Sequence, residues 1–379
     1  MGRFLKKFFN RLPMLARAVF FAILCRIFVG QRRPVASPKK GLLYIIGNFS
    51  AEGGIARSAQ LSLAVLRAEH RRCIAVDTTG TNFQPQQQPP AAGLSQIKDV
   101  KRNTEPATVV LHLNPPQLQW TLCKLGKKFL RNKRIVACWA WELEAIPLLW
   151  KYAIPYVDAI EVPSRFTCQA IRRNTDKPVT VRPYPLQELN DGQRYDGPAG
   201  QLRCLFIFDL ASRWERKNPQ AVISAFTAAF SPGEAVLTIK VIHAKDFQND
   251  LKKLKKIIDS YPHITILTQW LDEKALRQLY RQHNVYLSLH RSEGFGLTIR
   301  EAMLFGLFIV ATGWSGNMDF MHGKTVYPVP FRLVPLEKRE QRYWGVSNAR
   351  WAEPDIEQAS VILRNIYRRY LKNISDESA

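Results

Sequence analysis

Long apolar runs are missing from this 379-residue chain. The stretch Ala18–Cys25 near the amino terminus has eight residues between Arg17 and Arg26, whereas a membrane-spanning helix needs about 20. No Cys-x-x-Cys pair and no His-Glu-x-x-His occurs, and the six cysteines (Cys25, Cys73, Cys123, Cys138, Cys168 and Cys204) are scattered. That excludes the usual zinc frameworks; such cysteines read as small core hydrophobes in a reducing cytosol. No repeat with a period of about 20–50 residues is visible, which excludes solenoids and propellers. Acid is scarce, with 31 Asp and Glu against 55 Lys and Arg, a net charge of +24. The surplus favours anionic partners, and charge alone does not choose among nucleic acid, acidic lipid and a phosphorylated substrate. With 46% hydrophobic and 23% charged residues, the chain is a folded one, long enough for two domains.

Residues 1–40 hold ten Lys and Arg and no acid, and the first carboxylate in the chain is Glu52. Phe4, Leu5, Phe8, Phe9 and Leu12 lie among these charges. Cys25-Arg26-Ile27 is a poor signal-peptidase site, and Lys6 stands where a myristoylation pattern has Ser or Thr. The segment reads as a basic amphipathic helix held on an anionic membrane surface by apolar burial and charge together. A basic tail, or a helix docked on the protein itself, is the alternative.

From residue 41 onward short apolar runs alternate with helical periodicity. Gly41–Gly47, Cys73–Val76, Thr108–Leu113, Ile135–Trp139 and Ala159–Val162 read as buried parallel strands, with a helix from Ile55 to about Arg67. Thr79–Leu94 has no core-building pattern and reads as a surface excursion. Pro183, Pro185, Gly192 and Gly197 mark a hinge over 186–200, after which the pattern restarts. Strands are expected at Cys204–Phe208, Leu237–Ile242, Ile264–Leu267, Val285–Leu289 and Phe308–Ala311. Helices are expected at Pro219–Phe230, Asp272–His283, Leu297–Phe305 and Pro354–Lys372. The expected fold is α/β, with an amino-terminal Rossmann-like domain over 41–186 and a second over 200–355. The two would face each other across a cleft where ligands bind, with 356–379 packing back across the hinge.

The chemistry concentrates in Ser288–Met303. A strand ends, Gly294 and Gly296 free the backbone, and a helix begins, a geometry that presents helix amino-terminal N–H groups to an anion. Glu293 precedes the glycines and Glu301 lies one turn inside the helix, an E-x7-E arrangement. The phrase EGFGLTIREAM resembles the GT4 family of retaining glycosyltransferases, which have the two-domain GT-B fold. Ile207-Phe208-Asp209 through Arg216-Lys217-Asn218-Pro219 is similar to that family's phosphate-binding turn. Trp314–Met321 and Trp351–Asp355 resemble a bacterial, polysaccharide-building branch.

The resemblance implies a hexosyltransferase that uses a nucleotide sugar. Gly294, Phe295, Gly296, Leu297 and Thr298 would contact phosphate and sugar, Glu293 the sugar hydroxyls and Glu301 the ribose. Lys217 with Arg216 or Arg213, next to Ser212, would neutralise the leaving diphosphate; a solvated basic turn is the alternative for these cations. On the acceptor side, Gly53, Gly54 and Arg57 lie at a strand end, with a solvated helix charge the alternative for Arg57; His112 and Asn114 close another and face the acceptor or take a core or turn role. The family's histidine after the fourth strand is missing from Cys138–Glu144, where Glu142 could take a polar role or be an ordinary helix-start carboxylate. No D-x-D occurs, so neither metal nor other cofactor is implied, and basic charge would replace a cation.

The weak first choice of donor is GDP-mannose, with uridine diphosphate sugars behind it. The expected acceptor is a lipid-linked saccharide or cell-surface polysaccharide such as lipopolysaccharide, and the expected location is the cytoplasmic face of the membrane, as a peripheral protein. Rival readings are a GT-B nucleotide-sugar epimerase, an inactive scaffold, and a nucleic-acid binder. The last lacks aromatics interleaved with Lys and Arg on one face, so no nucleic-acid partner is expected.

Overall fold

The structure, a computed structural model, describes residues 14–33, 35–36, 41–69, 72–80, 93–186 and 201–377. Residues 1–13, the 81–92 part of the excursion and the hinge residues 187–200 lie outside these. The chain divides into two compact units, Met1–Pro185 with Leu336–Ala349, and Leu186–Pro335 with Arg350–Ala379.

The first unit is a six-stranded parallel sheet of β1 (Leu42–Gly47), β2 (Cys73–Asp77), β3 (Ala107–His112), β4 (Lys133–Cys138), β5 (Ala159–Val162) and β6 (Val179–Val181), in the order β2-β1-β3-β4-β5-β6. Every residue of β1 is buried, as a strand covered on both faces requires. Helix α1 (Met14–Phe28) precedes the sheet, α2 (Gly54–Ala68) follows β1, α3 (Gln117–Leu130) joins β3 to β4, and α4 (Arg165–Arg172) joins β5 to β6. At Gly47 the helix α2 comes so near that a Cβ would lie 2.8 Å from the Cβ of Ala59. Only glycine permits that approach.

Helix α1 takes the alternative reading, a helix docked on the protein itself. Phe21, Cys25 and Val29, four residues apart, are buried against α3 and the short helix Leu148–Lys151, while Val19, Ile23, Ile27 and Phe28 are exposed together with Arg26. The chain after the helix is fastened by Arg32, which donates to the carbonyls of Leu130 (2.9 Å) and Lys133 (2.7 Å) and to Asp158 Oδ2 (3.0 Å). All six cysteines are free thiols, and Cys25 Sγ lies 3.7 Å from Cys123 Sγ where α1 meets α3.

The second unit holds β7 (Leu202–Asp209), β8 (Ala235–Ile242), β9 (Ile264–Leu267), β10 (Val285–Ser288), β11 (Phe308–Thr312) and β12 (Val326–Val329), parallel and in the order β12-β11-β10-β7-β8-β9. Pro328 sits inside β12, which is tolerated because β12 is an edge strand. The antiparallel pair β13 (Phe331–Pro335) and β14 (Arg350–Pro354) flanks the segment counted with the first unit. Helices α5 (Trp214–Lys217), α6 (Pro219–Ala229), α7 (Gln248–Ile258), α8 (Glu273–Arg281), α9 (Leu297–Leu304), α10 (Lys338–Trp344) and α11 (Ile356–Glu377) complete the chain. The final helix α11 packs on α6, β11 and β12 inside the second unit. Residues 336–349, not this helix, are the part of the late chain that the contacts place with the first unit.

At the end of β2, Asp77 stitches the loop after β1 into place. Its Oδ1 accepts from the N–H of Phe49 (3.0 Å), the N–H of Thr79 (2.9 Å) and the hydroxyl of Thr79 (2.6 Å), and its Oδ2 from the hydroxyl of Ser50 (2.7 Å). Removing a buried acceptor orphans its donors. Asp77→Ala is therefore expected to destabilise the first unit by about 3 kcal/mol, read as a lowered urea midpoint. A midpoint equal to wild type would show that the loop is held by other contacts.

Candidate active site

In the second sheet, the connections from β7 run outward to β8 on one side while β10 lies on the other, so strand order reverses between β7 and β10. In an open parallel sheet such a switch point, at the carboxyl ends of the strands, is where ligands bind. Both sequence motifs leave the sheet there. After β7 the chain turns through Leu210–Ser212, Arg213 (φ 73°), α5 and left-handed Asn218. After β10 it runs through Leu289–Gly296 into α9, with Gly296 at φ 88°. A Cβ on Gly296 would also lie 3.2 Å from Asn317 Cβ and from Ile299 Cδ1, so this residue must be glycine on two grounds.

An ion pair joins the two turns. Glu293, 8% exposed, accepts through Oε1 from Lys217 Nζ and from the Arg216 guanidinium at 3.2 Å. Arg216 also donates to the carbonyls of Ser292 (2.8 Å) and Ser212 (3.1 Å). Ser212 thus supplies a backbone acceptor. Burial alone would raise the carboxyl pKa of Glu293, but Lys217, Arg216 and His290 outweigh it and hold the value down at about 2.

The turn is fixed from behind as well. The Glu293 N–H donates to Ser315 Oγ (2.8 Å), the Gly316 N–H donates to the Glu293 carbonyl (2.9 Å), and Ser315 Oγ donates to Asn317 Oδ1 (3.1 Å). Asn317 Oδ1 also meets His290 Nε2 at 3.1 Å, and His290 Nδ1 meets Ser288 Oγ at 3.2 Å. Burial lowers the His290 pKa to about 4, so the ring is neutral at pH 7. Since Asn317 Oδ1 can only accept, Nε2 carries the proton and Nδ1 accepts from Ser288. Arg291 ties the turn to β14 through a bidentate pair with Glu353 at 2.7 and 3.1 Å.

The other expected donor residues lie in the same turn and helix. Glu301 is buried on α9 and accepts from the Tyr280 hydroxyl at 2.8 Å. The Phe295 side chain packs on Phe320, with ring centroids 4.9 Å apart. Sequence reasoning did not find Tyr280, His290 or the Arg291–Glu353 pair. It took Ser315 and Asn317 only as loop residues. Adjacent strand ends also carry His243, whose Nδ1 lies 2.6 Å from Asp209 Oδ1.

The expected acceptor residues lie in the first unit. Gly53 and Gly54 open α2, with Arg57 in its first turn. Asn114 is committed to the backbone of Ala140, donating to its carbonyl at 2.8 Å and accepting from its N–H at 3.1 Å. It therefore locks the end of β3 to the chain after β4. Glu142 lies near Tyr184, whose hydroxyl pKa is raised mainly by burial and further by the Glu142 carboxylate. Tyr184, His112, Ser58 and Glu161 line a cavity of 640 Å³ between α2 and one face of the sheet. His112 Nδ1 meets Ser58 Oγ at 3.0 Å, and burial lowers the His112 pKa to about 4.

Glu293→Gln would leave two buried cations without their anion, and a lowered melting temperature of the second unit is expected. Adding Lys217→Met should cost less than the sum of the two single changes, by about 1 kcal/mol or more in a double-mutant cycle. The folded pKa of Glu293 is depressed from 4.5 to about 2. Its contribution to stability is therefore complete above pH 4.5 and lost as pH falls toward 2. Wild type should lose more stability than Glu293→Gln across that window in acid titrations followed by circular dichroism; parallel curves would refute the assignment.

Residues 202–337 match the family described as glycosyl transferases group 1. No curated protein sequence gives a significant match. Among solved structures, the chain is similar to Anabaena Alr3699/HepE in complex with UDP and glucose, at 12% identity and a TM-score of 0.56, over 89% of this chain and 99% of that one. It is similar to a glycosyltransferase from Rickettsia africae, at 14% identity and a TM-score of 0.55, over 89% and 100%. It is also similar to the lipopolysaccharide outer core galactosyltransferase WaaB in its apo form, at 14% identity and a TM-score of 0.51, over 74% and 83%. Two parallel six-stranded sheets with helices, matched to such structures, make the fold of this chain GT-B.

Proposed function

We propose that this protein is a retaining glycosyltransferase of the GT4 type. It moves a hexose from a nucleotide sugar to a lipid-linked or cell-surface polysaccharide acceptor. The observation that carries the reading is the Glu293 carboxylate held by Lys217 and Arg216 at the switch point, beside the amino end of α9. In the reaction the bond from the acceptor oxygen to the anomeric carbon forms while the bond from that carbon to the diphosphate oxygen breaks. The acceptor proton passes to the departing diphosphate on the same face, so no side-chain base is needed and configuration is retained. Negative charge grows on the diphosphate as it leaves. Lys217, Arg216 and Arg213, with the helix N–H groups of Leu297 and Thr298, stabilise that charge where it develops.

Glu293 has two tasks in this scheme. It binds hydroxyls of the donor sugar, and it keeps the two cations fixed before the donor arrives, so that little reorganisation is left for the reaction itself. Glu301, oriented by Tyr280, receives the ribose hydroxyls. Cationic side chains take the charge that a metal would otherwise carry, and no cofactor is required. GDP-mannose is the donor placed first; HepE was crystallised with UDP and glucose, so uridine diphosphate sugars belong in the same test.

A panel of GDP- and UDP-sugars with membrane extract as acceptor tests the proposal, by sugar release and by the linkage of the product. One donor should be consumed with retention at the anomeric centre. Lys217→Ala should lower kcat by about 100-fold or more, and a chelator should leave the rate within about twofold. Conversion of a nucleotide sugar to its epimer without acceptor would establish the epimerase instead, and tight binding of single-stranded RNA with no donor turnover would overturn the enzyme reading.

A further inference from the structure

Helix α1 carries apolar residues on two opposite sides, and the described part of the protein covers one. Phe21, Cys25 and Val29 are 5% exposed or less on the covered side. Val19 (42%), Ile23 (52%) and Ile27 (55%) repeat every fourth residue and form an outward stripe, with exposed Arg26 one heptad after Val19. Leu148, on the short helix against which α1 packs, is also exposed. An exposed apolar stripe of this kind marks an interaction surface.

Charge identifies the partner. The α1 sequence, the α3 sequence and Leu148–Lys151 contain no Asp or Glu at all. These elements and the chain after α1 also carry exposed cations: Arg26 in the last turn of α1, Arg33 beyond it, Lys124, Lys127 and Lys128 on α3, and Lys151. Lys127 closes over the end of α1, where a Cβ on Gly30 would lie 3.2 Å from its Cε. An apolar stripe on elements that carry cations and no carboxylates complements a bilayer with anionic headgroups.

The geometry also fixes how the helix meets it. Its 15 residues are about 22 Å long, short of the roughly 30 Å of hydrocarbon in a bilayer, and no described helix is long and apolar enough to cross a membrane. Because its inner side is seated on α3 and its exit is held by Arg32, α1 cannot leave the protein without breaking these contacts. We propose that the first unit binds an anionic lipid surface through α1 lying in the headgroup plane. The Val19–Ile23–Ile27 stripe enters the acyl boundary, and the α3 lysines meet lipid phosphates. The membrane anchor is thus part of the folded unit, and this inference is independent of the donor and acceptor proposed above.

The test is sedimentation of the full chain with vesicles of phosphatidylcholine containing about 30% phosphatidylglycerol, enough anionic lipid to give a negative surface potential, against phosphatidylcholine alone. Wild type should bind the anionic vesicles and release them in high salt. Ile23→Ser with Ile27→Ser should weaken binding by about tenfold or more with an unchanged melting temperature, as should Lys124→Glu with Lys127→Glu and Lys128→Glu. Charge reversal of Lys252, Lys253 and Lys255 on α7 should have no such effect. As a second measurement, Ile27→Trp should shift its emission to the blue on anionic vesicles and be quenched by brominated lipid. Unchanged emission, or equal binding by the serine variant, overturns the proposal. A concentration-dependent dimer without vesicles that the serine variant abolishes would also overturn it, by making a second copy the occupant.

Discussion

One buried carboxylate joins the two turns at the switch point of the second unit. Glu293 has left most of its water, a cost of several kcal/mol for an ion taken alone, and the two cations that compensate it come from the turn after the neighbouring strand. The pair therefore joins two loops that separate strands position, and each loop needs the other to keep its charge neutralised. The same constraint explains the supports behind it. A carboxylate aimed at two cations must have a fixed backbone, and the Ser315–Gly316–Asn317 turn grips the Glu293 peptide on both its N–H and its carbonyl. Neutral His290 then occupies the remaining side of Asn317. A charged imidazole there would add a third cation beside Glu293 and need its own compensation, which burial disfavours.

How much of this could be read from the chain depended on whether the information was local. Most strands and helices expected in the second unit lie within about two residues of the observed ones, because buried parallel strands are short continuous apolar runs and their helices have a different period; α11 runs to Glu377, five residues past the expected Lys372, and β13 and β14 had no expected counterpart. The strand β12 was not legible, since Pro328 breaks its pattern, and β6 has only Val179–Val181 to show. The E-x7-E turn was legible because both acids and both glycines lie within nine consecutive residues. The partners that orient them were not. Tyr280 is 21 positions from Glu301 and Glu353 is 62 from Arg291, and no single-sequence spacing announces such pairs. Asn114 left ligand contact and a core or turn role equally open for a related reason. A side-chain amide at a strand end can also satisfy backbone at the next strand, and Ala140 takes both of its groups.

The amino-terminal helix shows the limit of reading charge and hydrophobicity together. Basic residues mixed with apolar ones suggested two faces of opposite character. In the structure the division runs between two apolar faces, one turned to α3 and one to solvent. A periodicity argument cannot separate these cases, because a helix buried on one side by protein and on the other by something else has the same composition as a fully buried helix.

The surplus of positive charge finds its explanation away from the chemistry. At the site, Lys217 and Arg216 face Glu293, and Arg291 faces Glu353, so these three cations meet two anions and their excess is one. A net charge of +24 cannot come from there. It accumulates on surfaces such as the acid-free α1 and α3 and the lysine-rich α7. A diphosphate site needs its few cations held rigidly and in a defined geometry, and a carboxylate that fixes them costs net charge but gains pre-organisation. A lipid surface is a diffuse anion, read by the number of cations near it and not by their detailed placement, so a carboxylate among them would only subtract. The two ways of using positive charge are accordingly segregated, with carboxylate-fixed cations at the strand ends of the second unit and clusters without acid on the helices of the first.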